Sequence, residues 1–167
     1  MSLPATYTDR NETGCCAVPD TKNWDETAVK FEDKRFIRLY TRSLMHIPLN
    51  MSSVMTQLQK AAEAAGAQMP PQEVMILSCE ISPWKAEQLY AVSKPVEGAD
   101  NVELSGEYLS KVFEGPFANA KQWHQSLLDY VKSQGKTSQQ TYFFYTTCPK
   151  CAKHYGKNYV IGLAQVA

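Results

Sequence analysis

YLSKVFEGPFANAKQWHQSLLDYVKSQG, residues 108–135, changes its periodicity partway and so sets the fold class. Tyr108 to Glu114 reads as a strand and Gly115-Pro116 as a turn. Phe117 to Gln134 then reads as a helix with Phe117, Ala120, Trp123, Leu127, Leu128 and Val131 along its inner stripe. Gly135 stands just past the helix end, where left-handed backbone is preferred. Thr141 to Thr147 and Tyr159 to Val166 supply two more strands. The order is strand, helix, strand, strand.

Upstream, the same order is expected. Over Arg35 to Ile47, the residues Ile37, Leu39, Met45 and Ile47 alternate with Phe36, Arg38, Tyr40, Arg42 and His46. That is the period of a half-buried strand, and its apolar set suits contact with a helix. Asn50 occupies the N-cap position ahead of the stripe Met51, Val54, Met55, Leu58, Ala61, Ala62 and Ala65, and Gly66 is the stop. Val74 to Ile81 and Leu89 to Val92 read as a hairpin around Ser82-Pro83-Trp84-Lys85. A single unit leaves its sheet half covered, so two units, about 35–93 and 101–166, predict one closed domain. The expected fold is α+β: duplicated β-α-β-β units forming one antiparallel sheet, helices on one face and a concave small-molecule site on the other. Residues 1–34 read as an N-terminal extension with few apolar anchors, among them Trp24, Val29 and Phe31.

The 167 residues, 44% of them hydrophobic, suffice for one well-buried core. Lys plus Arg equals Asp plus Glu at 17 each, so there is no basic footprint for nucleic acid, and no DNA-binding partner is expected. No apolar run reaches the ~20 residues of a membrane span, and no charged region followed by an apolar one opens the chain. A soluble, cytoplasmic protein is expected.

Leu104-Ser105-Gly106-Glu107-Tyr108, then Val112-Phe113-Glu114-Gly115-Pro116-Phe117, then a helix carrying Trp123 and ending at Gly135, resembles the second half of gyrase-inhibitor-like (GyrI-like) proteins. The resemblance covers about residues 35–167 and extends to a bacterial subgroup labelled simply as hydrolases. It implies a pocket for bulky aromatic or cationic molecules, as in the effector-binding domains of multidrug-responsive regulators. Some members are similar to hydrolases that open reactive cyclopropane rings. Many members carry a glutamate just before the tyrosine of the penultimate strand; here Phe144 precedes Tyr145, so that acid does not carry over.

Five cysteines in a cytosolic chain point to metal or thiol chemistry. Cys79 lies in an apolar strand and reads as core. Cys15, Cys16, Cys148 and Cys151 form two pairs, the second with the CxxC spacing that brings two thiolates to one ion, and together they offer a complete tetrahedral shell for a structural zinc. His154 is an alternative ligand, and reduced, unliganded cysteines are the competing reading. The run from Tyr142 to Cys151 is also similar to the approach to a glutaredoxin thiol site, but only 16 residues follow Cys151, too few to complete that fold.

For hydrolysis, a carboxylate beside apolar walls is needed. Glu80, at the end of an apolar strand before Trp84, and Glu114, inside the resembling motif, are the catalytic candidates; each also reads as a solvated strand-end acid. His46 shares a sheet face with Arg38, Tyr40 and Arg42, and if that face is the concave one it favours an anionic or polar aromatic ligand. Trp84, Tyr90, Tyr108 and Tyr145 are further ligand-binding candidates, whereas Trp123 reads as core. Three functions follow: a small-molecule binder, a hydrolase of electrophilic small molecules, or a zinc-stabilised or thiol-redox protein.

Overall fold

The computed structural model describes residues 3–14, 16–45 and 47–167. In chain order the elements are β1 (Thr27–Leu44), β2 (Ile47–Pro48), α1 (Met51–Ala64), β3 (Ile76–Ser82), β4 (Lys85–Ala91) and β5 (Asp100–Glu114). They are followed by α2 (Ala120–Ser133), β6 (Gln140–Tyr145), α3 (Pro149–Tyr155) and β7 (Tyr159–Gln165). All strand pairings are antiparallel, in the order β2-β1-β4-β3-β6-β7-β5. A further pairing of β5 with β1 closes six of these strands into a ring. The fold is α+β, as expected, but the sheet is a closed barrel and not an open surface. Closure follows from the length of β1, 18 residues: Phe36 to Arg42 pair with β4, while Thr27 to Arg38 pair with β5.

The concave face opposite the helices is thereby turned inward, and the chain's own side chains fill it. Trp24, Val29, Phe31, Phe36, Leu77, Leu89, Tyr108, Phe144, Ile161 and Leu163 make this inner core. Alternate residues of the same strands face the helices. Ile37 meets Val54, Leu58 and Ala62 of α1, and Leu109, Phe113 and Val160 meet Trp123, Leu127 and Val131 of α2, with Phe113 and Trp123 stacked at 5.9 Å. Each fully buried side chain of this kind is worth about 1.5–3 kcal/mol of apolar burial. Leu39 joins Ile37 on the α1 side, but Met45 is exposed at positive φ, because β1 has already ended at Leu44.

Several boundaries differ from the expectation for identifiable reasons. β1 begins at Thr27, so the strand crosses the boundary drawn at residue 35. A bulge between Phe31 and Lys34 shifts the inward phase, so that Phe31 and Phe36 both reach the core. Asn50 precedes α1, but its side chain caps nothing; its Oδ1 accepts the Arg42 backbone N–H at 2.7 Å. A short helix, α3, follows Cys148, where none is expected, and Gly156 ends it at φ +76°.

Residues 3–24 are not a loose tail. Trp24 is fully buried in the barrel core, its Nε1–H donating to Ala5 O at 2.9 Å, and its carbonyl accepts from Ser110 Oγ. Thr6 Oγ1 donates to Val74 O, and the Tyr7 ring lies edge-on to Phe144 with its hydroxyl donating to Thr146 O. From that anchored base the chain makes a narrow excursion: Thr8 N–H donates to Val18 O and Val18 N–H to Arg10 O. Ala5, Thr6, Tyr7 and Trp24 at its base form a floor at the barrel end at which β3 begins and β6 finishes. No helix among the described residues is long and apolar enough to cross a membrane.

Candidate functional site

Strand register collects a row of reactive side chains on the inner face at the other end of the barrel. Tyr40 of β1 pairs with Glu87 of β4, and Glu87 with Cys79 of β3, so all three share one face. Tyr142 and Tyr108 lie with Cys79 in the same core cluster. Arg38, two residues before Tyr40, reaches Asp100 (2.8 Å) and Glu87 (3.7 Å). Beyond Arg38, β1 has left β5, so the ring is open there and Tyr40 is partly exposed. The Arg38 guanidinium and the Lys85 ammonium both lie over the Tyr40 ring, at 5.5 and 4.1 Å. Arg42 follows on the same face, is exposed, and pairs in register with Lys85. The face carrying Arg38, Tyr40 and Arg42 is therefore the concave one.

The electrostatics of this ledge follow from burial. Desolvation raises the Glu87 carboxyl above its ordinary value; Arg38 opposes that and Asp100 adds to it. Burial likewise pushes the Cys79 thiol up to about 11, against a hydrogen bond from Gln140, and Tyr108 up to about 12. Tyr142 is raised as well, by burial first and then by Tyr108, Glu87 and Cys79. The Tyr108 hydroxyl is buried with no hydrogen-bond partner among the described residues. A carboxyl held toward its neutral form beside buried phenols can donate a proton to a bound molecule.

The residues singled out from sequence do not converge on one point. Tyr108 lies in the barrel core. Tyr90 packs on the opposite sheet face against the α1 cluster, and Tyr145 packs on the α2 side against Phe117 and Phe143. Glu80 is exposed at the end of β3, paired with Ala86, and Trp84 is 55% exposed in the β3–β4 turn. Glu114 is exposed, 3.9 Å from Lys157. It borders a shallow cleft of about 380 Å³ with Phe117, Lys153 and Asn158. His46 and Cys15 lie outside the described residues. Glu87 was missed because Lys85-Ala86-Glu87-Gln88 reads as a polar strand start; only the register turns Glu87 inward.

Cysteines far apart in sequence do converge. The Sγ atoms of Cys16, Cys148 and Cys151 lie within 4.8 Å of one another, and Cys16 and Cys148 are 3.8 Å apart. β6 leads to Cys148, the residue before α3, and Cys151 is one helical turn on. The excursion of the N-terminal segment delivers Cys16. Its tip is tied to α3 by the Tyr155 hydroxyl, which donates to Cys16 O (2.7 Å) and accepts from the Glu12 N–H (3.1 Å), and by His154 against Glu12 (3.2 Å). His154 is thus engaged with Glu12. Three thiols so placed could hold a metal ion.

A family model described as bacterial hydrolase matches residues 6–166. Among solved structures, a hydrolase from Listeria innocua is similar with a TM-score of 0.61 at 9% identity, over 87% of this chain and 93% of that one. An uncharacterized conserved protein from Listeria innocua is similar at 0.58 and 9%, over 84% and 92%. A structure of SAV2435 bound to tetraphenylphosphonium is similar at 0.50 and 12%, over 84% and 93%. At these identities the likeness is one of fold. No curated protein matches the sequence.

Proposed function

Because the chain belongs to the bacterial hydrolase family, we propose that it binds a polar or anionic aromatic small molecule on the ledge of Arg38, Tyr40 and Glu87 and hydrolyses an electrophilic one there. The observation that carries this reading is the inward Glu87, desolvated and set between Tyr40 and Cys79 at the open end of the barrel. Glu87 in its neutral form donates a proton to the oxygen whose bond to carbon breaks, water attacks that carbon, and the proton that water loses returns to the Glu87 carboxylate. Tyr142 and Tyr108 line the way into the core, and Arg38 holds the ligand's negative end. The fold read in this way is that of GyrI-like proteins, with two β-α-β-β units, and the tetraphenylphosphonium complex of a similar structure fits a small-ligand role. Here the ledge is cationic, so anionic aromatics are preferred over that cation. We place the protein in the cytoplasm, where its thiols stay reduced.

The test is turnover of aryl esters and strained-ring electrophiles by the intact chain, with ligand binding followed separately by tryptophan fluorescence. We expect Glu87→Gln to lower kcat/KM by about 10²-fold or more, the usual scale of a general acid, and to leave binding within a fewfold. Glu80→Gln and Glu114→Gln are the comparisons, since both acids remain candidates. Saturable binding without product reduces the reading to a sensing or sequestering module. Neither binding nor turnover across the panel removes it.

A second reading, a zinc-stabilised or thiol-redox protein, is favoured by the convergence of Cys16, Cys148 and Cys151. If these thiols perform the chemistry, Cys148→Ser abolishes turnover in a protein that still folds.

A further inference from the structure

The N-terminal excursion has two fastenings, and they differ in kind. Its base is held by apolar burial, with Trp24 inside the barrel and Tyr7 against Phe144. Its tip meets α3 through a small polar surface: Glu12 with His154, Tyr155 with Cys16 O, and three sulfurs. Exposed polar contacts of this sort contribute little on their own. Yet the tip carries a cysteine to the CxxC turn across 132 positions of sequence. In a tetrahedral zinc site with Zn–S near 2.3 Å, two sulfurs stand about 3.8 Å apart. The Cys16–Cys148 separation is 3.8 Å, and the third sulfur completes a group within 4.8 Å.

We infer that Cys16, Cys148 and Cys151 bind a zinc ion that clasps the N-terminal excursion to α3 and so keeps the barrel floor seated. The inference rests on the thiol cluster of the second reading but assigns it a fastening role and no chemistry on substrate. On binding, the three thiols release their protons to solvent and act as thiolates. Lys150 and Lys153 on α3 offset part of the resulting negative charge. The Thr13 hydroxyl, 3.2 Å from Cys151 Sγ, supplies the outer-shell contact that orients a thiolate. Without the ion the three groups are protonated thiols that no cation draws together, and the tip is held by its polar contacts to α3. The floor then opens from the tip toward Trp24.

The experiment uses the full chain purified without chelator, in a Trp84→Phe background that removes the exposed indole. Zinc per chain is measured, zinc is withdrawn with a chelator and returned, and indole emission and acrylamide quenching are followed throughout. We expect about one zinc per chain, masking of three thiols, and a chelator-induced red shift with at least a twofold rise in quenching, reversed by zinc. Cys16→Ser and Cys148→Ser each weaken zinc binding at least tenfold; the chelator arm on unaltered cysteines keeps the result decisive if a variant does not fold. Less than a tenth of a zinc per chain after zinc is supplied overturns the site. Full zinc with unchanged quenching on its removal overturns the clasp. Abolition of turnover by chelation while Trp24 stays shielded also overturns it and returns the cysteines to chemistry. Zinc content, thiol masking and quenching do not depend on Glu87, so failure of the ledge proposal is distinguishable.

Discussion

Replacing Trp24 with alanine tests whether residues 3–24 are part of the folded core. The indole is completely buried in the barrel cluster and donates one hydrogen bond, to Ala5 O at 2.9 Å. Truncation removes the largest fully buried side chain among the described residues and leaves a cavity in the core cluster to which Phe31 and Tyr108 also belong. Substitutions of this type cost about 3–5 kcal/mol. For a domain of this size each kcal/mol lowers Tm by about 2–4 °C, so the expected fall is roughly 6–20 °C. Trp24→Phe keeps most of the bulk and loses the donor, leaving Ala5 O without it; its cost is about 1–2 kcal/mol. Thermal unfolding followed by circular dichroism, with zinc held constant, measures both. A Tm change under about 2 °C for Trp24→Ala would refute the reasoning, since it would mean that the segment is not seated in solution.

Three further outcomes are expected. Glu87 has a raised folded pKa, so the folded state holds its proton longer than the unfolded chain; its contribution to stability is therefore greatest below the ordinary value of 4.5 and declines as pH rises through the folded value. Glu87→Gln should flatten that decline in denaturant titrations run across pH, and an unchanged slope would contradict the assigned burial. Cys79, with its thiol pushed to about 11, carries on the order of 10⁻³ thiolate at pH 8 and should resist alkylation until the protein is unfolded, as peptide mass mapping would show. At Gly162 a Cβ would stand 3.0 Å from Phe113, 3.1 Å from Leu127 and 3.3 Å from Phe143, so Gly162→Ala should cost about 1–3 kcal/mol by chemical denaturation through displacement of α2.

The parts of the structure legible in the sequence are those whose stabilising pattern is local. The stripes of α1 and α2 fixed both helices to within a few residues, because each buries one face against the barrel over three turns or more. The first half of β1 was hidden, since Val29 and Phe31 are embedded among charges and the bulge after Phe31 breaks the alternation that a period-two reading needs. α3 was hidden by its brevity and polar composition. The gathering of Cys16 with Cys148 and Cys151 was legible in the two cysteine pairs and the CxxC spacing of the second. Glu87 depended on register between distant strands, which no local pattern carries.

Closure of the ring by β1 has a consequence for how the chain is made. One margin of that strand finds its partner in β4, within about fifty positions, but the other waits for β5, where Thr27 meets Ser110. During synthesis β1 therefore spends an interval with a bare row of N–H and C=O groups, the kind of template on which nascent chains associate with one another. Lys30, Glu32, Asp33 and Lys34 lie along that waiting margin, three of them exposed, and the left-handed residue Asp33 interrupts its regular pleat. The charges that obscure β1 to a reader are thus the same ones that keep its open margin from recruiting a neighbouring nascent chain before β5 has been made.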